Sequence, residues 1–274
     1  MNPFLKRSVQ SERKFEVCSN ARKAEGREFK SHRVRYQFKE NTLFRIMKIF
    51  VGTSGWYYDW NEDRNLDWYI ANSGLNAVEL NASFYRFPFP NMVSSWAKKG
   101  KKLNWVVKVN RLITHVHKFG DSLEIWEKFY NLFSPLNPQI KFYLFQLPPS
   151  LTPNSAPKIE SFVKKTKLGK RFALEARNAE WFGKKWVDWA AKLGITLVSV
   201  DSPEHPRDVF NTNGLVYVRM HGRSGWYSHY YSDEELREVK DKILEAKPKE
   251  AYIFFNNDHA MLENARRMLA MFSY

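Results

Sequence analysis

The sequence predicts an α/β protein: a (β/α)₈ TIM barrel forming a single domain behind a basic N-terminal extension. Three observations carry this expectation. After Met47, short β-branched or aromatic runs alternate with amphipathic stretches of helical length. Eight such runs fall within about 225 residues, the usual size of a closed barrel. No Gly-rich dinucleotide fingerprint follows any of them, as an open doubly wound sheet would favour.

The elements follow in order. KIFVG at 48–52 is the first strand and ends in the turn-prone TSG, before a helix over 65–73. NAVEL at 76–80 precedes a helix over 90–99, and NWVVKV at 104–109 precedes one over 120–133, with Asp121 placed to cap SLEIWEKFYNLF. KFYLFQ at 141–146 is stopped by the rigid LPP and followed by a helix over 156–167. RFALEA at 171–176 leads into a helix over 180–193, and ITLVSV at 195–200 into a short Pro-rich connection. LVYVRM at 215–220 precedes a helix over 232–246, whose Ser232 and Glu235 have capping-box spacing. AYIFF at 251–255 and a helix over 259–272 complete the pattern.

The chain carries 44 Lys+Arg against 29 Asp+Glu, a formal charge of +15, which favours anionic partners such as nucleic acid. Residues 1–46 hold 12 of these basic and 5 of these acidic residues, leaving 32 against 24, a formal +8, for 47–274. The first 46 residues show no sustained period of 2 or 3.6 and few aliphatic residues, so they read as a flexible or loosely docked extension. Met47 then reads as a candidate start of translation; a basic nucleic-acid-binding arm is the competing reading. Cys18 is the only cysteine and cannot form an internal disulfide. No apolar run reaches membrane-spanning length and the polar start lacks a secretory core, so the expectation is a cytoplasmic monomer with no membrane partner.

In a barrel of this kind, binding and catalytic residues come from the C-terminal ends of the strands and the loops beyond them. Those positions hold Ser54 and Trp56 after the first strand, and Glu79, Asn81, Phe84 and Tyr85 after the second. Lys108 ends the third and Gln146 the fourth; Glu175 and Arg177 end the fifth and Asp201 the sixth. Arg219 and His221 end the seventh, and Asn256 with Asn257 the eighth. Glu79, Lys108, Glu175, Asp201 and His221 form the candidate catalytic set, the remainder the binding set. Each has a structural counterpart reading: Glu175 and Arg177, two apart, also suit an ion pair inside the barrel, and Asp201 also suits a turn. His221 titrates near neutrality by type, yet a lone histidine is as often structural. Ser54 sits in only part of a G-x-S-x-G pattern with no triad around it.

Ten tryptophans and 16% aromatic residues exceed what a core needs. Trp56, Tyr57, Tyr58 and Trp60, with Phe84, Tyr85, Trp226, Tyr227, Tyr230 and Tyr231, are expected at the barrel mouth, about half of them packing loops rather than meeting a ligand. Rings over a partly cationic floor suit a stackable anion: a nucleotide, or a DNA strand with an extruded base.

The succession GTSGWYYDW, VELNASFYRFP, KVNRLITH, FQLPPS, LEARNAEWF, VSVDSP, YVRMHG with YSHYYS, and IFFNND with ENAR resembles the YecE-like family, domain of unknown function 72, from Met47 to the last helix. The resemblance implies a TIM barrel similar to xylose-isomerase-like and endonuclease-IV-like barrels, and no secure activity. Those barrels place His, Asp and Glu ligands at their strand ends. Here the eighth strand offers Asn256 and Asn257, weaker ligands, so a trinuclear zinc site is not expected. One divalent ion on Glu175, Asp201 and His221 is the metal-bound alternative to a metal-free site with Lys108, Arg177 and Arg219 as anion clamps.

The leading functional expectation is a nucleic-acid-binding, DNA-repair-type hydrolase acting at a damaged or flipped nucleotide, on an N-glycosidic or phosphodiester bond. Glu79 or Asp201 would activate water and His221 would assist the leaving group. A Lys108 of depressed pKa would instead attack an abasic sugar as a Schiff-base nucleophile. A sugar or phosphosugar isomerase or epimerase, binding a small anionic or sugar-like ligand, and a non-catalytic nucleic-acid-binding module are the alternatives.

Overall fold

The computed structural model describes residues 47–273, so the expected extension at 1–46 lies outside the described residues. The strands are β1 (Lys48–Thr53), β2 (Ala77–Leu80), β3 (Asn104–Lys108), β4 (Ile140–Gln146), β5 (Phe172–Glu175), β6 (Thr196–Leu197), β7 (Ser199–Asp201), β8 (Asn211–Thr212), β9 (Leu215–Met220) and β10 (Glu250–Phe255). They form one sheet in the order β6-β5-β4-β3-β2-β1-β10-β9-β7, with β8 paired to β9. Every pairing is parallel except β8 with β9.

The ITLVSV run, expected as one strand, is interrupted at Val198. β6 pairs with β5, β7 pairs with β9, and the Val198 N–H donates to the Leu174 carbonyl at 2.9 Å. β6 and β7 are thus the two halves of one stave, and by changing partner along its length this stave closes the barrel. The eight expected staves are all present, and the antiparallel β8 is an addition inside the Pro-rich connection.

The helices are α1 (Leu66–Asn72), α2 (Ala82–Tyr85), α3 (Pro90–Lys99), α4 (Leu123–Leu132), α5 (Ala156–Thr166), α6 (Lys184–Leu193), α7 (Asp233–Ala246) and α8 (Met261–Met271). α5 shows the governing pattern: Ala156, Ile159, Phe162 and Val163 recur at helical spacing and are the buried residues of the helix. The capping box of α7 is present, with Ser232 Oγ accepting from the Glu235 N–H at 3.2 Å and Glu235 Oε2 accepting from the Ser232 N–H at 2.9 Å. The Asp121 cap is not. Ser122 occupies the cap position of α4, and Asp121 lies one residue outside it at φ +35°. Short helical turns that were not expected include α2 and a π-turn at Leu112–Val116 beyond β3. Among the described residues no helix is long and apolar enough to cross a membrane.

The barrel interior is filled by Ala77, Val106, Phe142, Leu144, Ala173, Val198, Tyr217, Tyr252 and Phe254. Rings dominate it: Phe142 lies 5.2 Å from Tyr217 and 4.8 Å from Tyr252, and Tyr217 lies 5.4 Å from Phe254. Each such pair contributes about 0.5–1.5 kcal/mol beyond its burial. Gly52 makes room for them, because a Cβ there would collide with the Ala77 carbonyl and the Phe254 ring. This aromatic plug supports the layer of polar residues above it.

Candidate functional site

Side chains alternate across a strand, so the residue two beyond each core position also faces the barrel axis. Beyond Ala77 comes Glu79, beyond Val106 Lys108, beyond Leu144 Gln146, and beyond Ala173 Glu175. Beyond Tyr217 come Arg219 and His221, and beyond Phe254 comes Asn256. The topology therefore gathers at one end of the barrel groups that lie up to 177 positions apart in sequence.

Arg219 is the hub. Its Nε and Nη2 donate to the two oxygens of Glu79, at 2.9 and 2.5 Å, while Nη1 donates to Glu175 Oε2 at 2.5 Å. Glu79 also accepts from Ser54 Oγ at 2.7 Å and from the Tyr217 hydroxyl. Glu175 Oε1 takes a second guanidinium through Arg177 Nε at 2.5 Å. Arg219 and both carboxylates are completely buried. Ions so placed persist only when each is met by opposite charge and hydrogen bonds. Burial alone would push the Glu175 carboxyl up, but Arg177 and Arg219 outweigh it and hold it well below the usual carboxylate range. Both Glu79 oxygens are saturated with donors, which suits a fixed structural anion and leaves no lone pair for activating water.

His221 is also fully buried. Its Nε2 lies 3.2 Å from Arg177 Nη2 and 3.4 Å from Arg219 Nη1, with Glu175 Oε1 at 3.6 Å, beyond hydrogen-bond length. Both arginines only donate, so Nε2 accepts and the ring proton sits on Nδ1. Nδ1 lies 3.2 Å from Asn256 Nδ2, so that tautomer requires the side-chain amide to be turned over, with its oxygen accepting from Nδ1–H. Burial first, then Arg177 and Arg219, depress the His221 pKa well below its ordinary value, so the ring is neutral at pH 7. It is therefore a poor source of protons for a leaving group.

Lys108 differs from its neighbours. Two carboxylates are matched by Arg219 and Arg177, so the Lys108 charge has no counterpart, and its ammonium makes no ion pair among the described residues. It lies instead over the Phe84 ring, 4.3 Å from the centroid. Burial first, then the repulsion of Arg219 with a lesser contribution from Arg177, outweighs the pull of Glu175 and Glu79 and pushes its pKa down to about 7. The amine is thus substantially neutral, and nucleophilic, near physiological pH.

The structure does not bring Asp201 into this group. Val200 pairs with inward-facing Arg219, so Asp201 faces the other side of the sheet. There it receives Arg223 at 2.8 and 3.1 Å and the Tyr231 hydroxyl at 2.8 Å, and Arg223 continues to Glu238 at 2.6 Å. The expected ion on Glu175, Asp201 and His221 therefore does not fit: Asp201 is across the sheet and Glu175 is occupied by guanidinium groups. Among the described residues no three His, Cys, Asp or Glu converge as a metal site would require. Asn257 is structural as well, donating to the His229 carbonyl at 2.6 Å and to Asn264 at 2.9 Å. Gln146 is level with Glu175 in the β4–β5 register.

The expected rim divides. Tyr231 is fully buried, and Tyr58 stacks on Trp60 at 5.7 Å. Trp56 packs edge-on against Trp96 and Trp105 at 5.7 and 5.8 Å, and Trp226 lies under Arg177 at 4.6 Å. Tyr57 and Tyr85, by contrast, are 71% and 72% exposed, with Tyr227 and Tyr230 at 37% and 52%. Phe89, Met92, Leu112 and Val116 are exposed too, and all eight follow the C-terminal ends of β1, β2, β3 or β9. Between the segments following β1 and β2 runs a groove of about 360 Å³, lined by Trp56, Tyr57, Asn81, Arg86, Phe87, Phe89, Met92 and Trp96 among others. Phe87, Phe89, Met92 and Arg86 escaped the sequence reading, although FPFP at 87–90, in the segment beyond the second strand, was a usable signal. Tyr217 was missed as well, despite lying two residues before Arg219.

Residues 50–274 match the profile of a family described as "Protein of unknown function DUF72". A curated relative, the UPF0759 protein YecE of Escherichia coli strain K12, is 26% identical over 111 residues, which is 40% of this chain and 41% of that protein. The match thus spans less than half the relative's length. The crystal structure of a DUF72 family protein from Thermotoga maritima is similar with a TM-score of 0.74 and 27% identity, over 83% of this chain and all of that one. A xylose isomerase-like TIM barrel/4-hydroxyphenylpyruvate dioxygenase fusion protein shares the fold alone, at a TM-score of 0.53 and 13% identity, over 81% of this chain and 42% of that one.

Proposed function

The chain belongs to the DUF72 family of TIM-barrel proteins, and from that premise we propose that it is an enzyme whose working group is the Lys108 amine, acting on the carbonyl carbon of a ring-opened, phosphate-bearing sugar. The observation that supports this reading most is an unpaired lysine with its pKa down at about 7, held over Phe84 at the end of β3. Two sources supply such a sugar: an abasic residue within a nucleic-acid strand, or a free phosphosugar. The basic balance of residues 47–274 and the exposed aromatic rim favour the first.

The neutral amine adds to the aldehyde carbon, forming the C–N bond, and the carbonyl oxygen leaves as water to give an iminium. The iminium withdraws electrons from the adjacent C–H bond, whose proton passes to water. In an abasic residue the freed pair expels the 3′-phosphate by breaking its C–O bond, and water then hydrolyses the imine to regenerate Lys108. The Glu79–Arg219–Glu175–Arg177 network keeps the floor rigid and water-poor, which maintains the depressed pKa. This scheme takes the place of hydrolysis by Glu79 and His221, whose lone pairs and proton are already committed.

Sodium borohydride tests it. With an oligonucleotide carrying an abasic site, or with ribose 5-phosphate, hydride reduction of the iminium should leave a stable adduct whose mass maps to Lys108 and which is absent from Lys108→Met. Absence of an adduct with both substrates, or an adduct that persists in Lys108→Met, contradicts the reading.

A further inference from the structure

We infer that the groove beside the barrel mouth, between the segments following β1 and β2, is a nucleobase subsite. The sugar presented to Lys108 then belongs to a nucleic-acid strand, as an abasic residue next to the nucleotide whose base fills the groove, rather than to a free phosphosugar. The inference deepens the Lys108 reading, but occupancy of the groove does not depend on it.

Shape comes first. The groove, at about 360 Å³, falls within the range of small-molecule sites, roughly 300–1,000 Å³. Its wall is preorganised: Trp56 is fixed edge-on by Trp96 and Trp105, and Phe87 lies edge-on to Phe129 at 5.3 Å. Tyr57, Phe89 and Met92 remain exposed at its rim. Fixed rings facing an open slot favour a planar ligand that stacks.

Polarity narrows the class. Asn81 Oδ1 is buried without a hydrogen-bond partner among the described residues, while its Nδ2 is 3.4 Å from the Ser54 carbonyl. An orphaned acceptor in a mostly apolar lining calls for a ligand N–H lying in the plane of the stacked ring, which a nucleobase supplies and a hydrocarbon does not. Arg86 lines the same groove, is exposed, and makes no ion pair among the described residues, so it is available to phosphate.

Position completes the argument. Ser83 lines the groove and its Oγ donates to the Lys108 carbonyl at 2.7 Å, and the next residue, Phe84, is the ring beneath the Lys108 ammonium. Ser83 and Phe84 thus join the groove wall to the Lys108 site, so that a base seated here directs the adjacent, abasic sugar of its strand toward that amine.

The test uses the full chain carrying Lys108→Met, so that binding is read without reaction. Tryptophan fluorescence and calorimetry follow titration with AMP, ribose 5-phosphate and N-acetylphenylalanine amide. AMP should bind at least about tenfold more tightly than the other two. Asn81→Ala should weaken AMP by roughly five- to tenfold, and Met92→Trp, which fills the slot, should weaken it as well, both at unchanged thermal midpoint. Ribose 5-phosphate or the amide binding as tightly as AMP, or AMP affinity untouched by both substitutions, overturns the subsite. Failed borohydride trapping with intact AMP binding sinks the Lys108 reaction alone.

Discussion

The ammonium of Lys108 lies 4.3 Å from the centre of the Phe84 ring and has no carboxylate of its own. The nearby carboxylates, Glu79 and Glu175, are engaged by Arg219 and Arg177, and burial together with the repulsion of these cations outweighs the carboxylates' pull on Lys108. Phe84 offers a polarisable face in place of water, so the site tolerates the charged form only partly.

Stability should therefore depend on pH through Lys108. Its folded pKa, about 7, lies below the ordinary 10.5, so the unfolded chain binds more protons between these values. The destabilisation is fully present below pH 7 and fades as pH rises toward 10.5. Urea unfolding should find Lys108→Met more stable than the parent at pH 6, with the gap closing by pH 10. A gap of constant size across that range contradicts the assignment.

Removing the hub should be far more damaging. Arg219→Met leaves Glu79 and Glu175 buried without their shared cation, and loss of one partner from a buried ion network costs about 3–5 kcal/mol. Equilibrium unfolding should show a loss of that order, whereas a change under about 1 kcal/mol would mean that the network is not formed.

His221 should not titrate near neutrality. With its pKa driven well below the ordinary histidine value, its ring carbon shifts in NMR should stay flat from pH 8 to pH 6, and adduct formation should show no His221-dependent limb there. A midpoint near 6.5 would restore it as an acid–base candidate.

Asp201→Asn should separate structure from chemistry. The substitution weakens the charge-assisted bonds from Arg223 and lowers the thermal midpoint, but it lies across the sheet from Lys108. Borohydride trapping should stay within about twofold of the parent, and a large loss at unchanged stability would place Asp201 in the reaction after all.

The barrel was legible because each stave announces itself locally: KIFVG, NWVVKV and LVYVRM are short, β-branched and bounded by turns. The break at Val198 was not, since it arises from a change of partner strand, from β5 to β9, that no local run encodes. In the site, alternation by two was sufficient to align Glu175 with Arg177 and Arg219 with His221. Asp201 failed because the same alternation, counted from inward-facing Val198, sends it outward, and the interruption obscured that count. Committed lone pairs were invisible as well. The saturation of Glu79 depends on Ser54 and Tyr217, 25 and 138 positions away.

A neutral Lys108 amine near pH 7 underlies the whole reaction, and its titration can be followed by itself. With lysines reductively ¹³C-methylated and the Lys108 resonance assigned through Lys108→Arg, its midpoint should fall near 7. A midpoint near 10.5, beside the surface lysines, would contradict it.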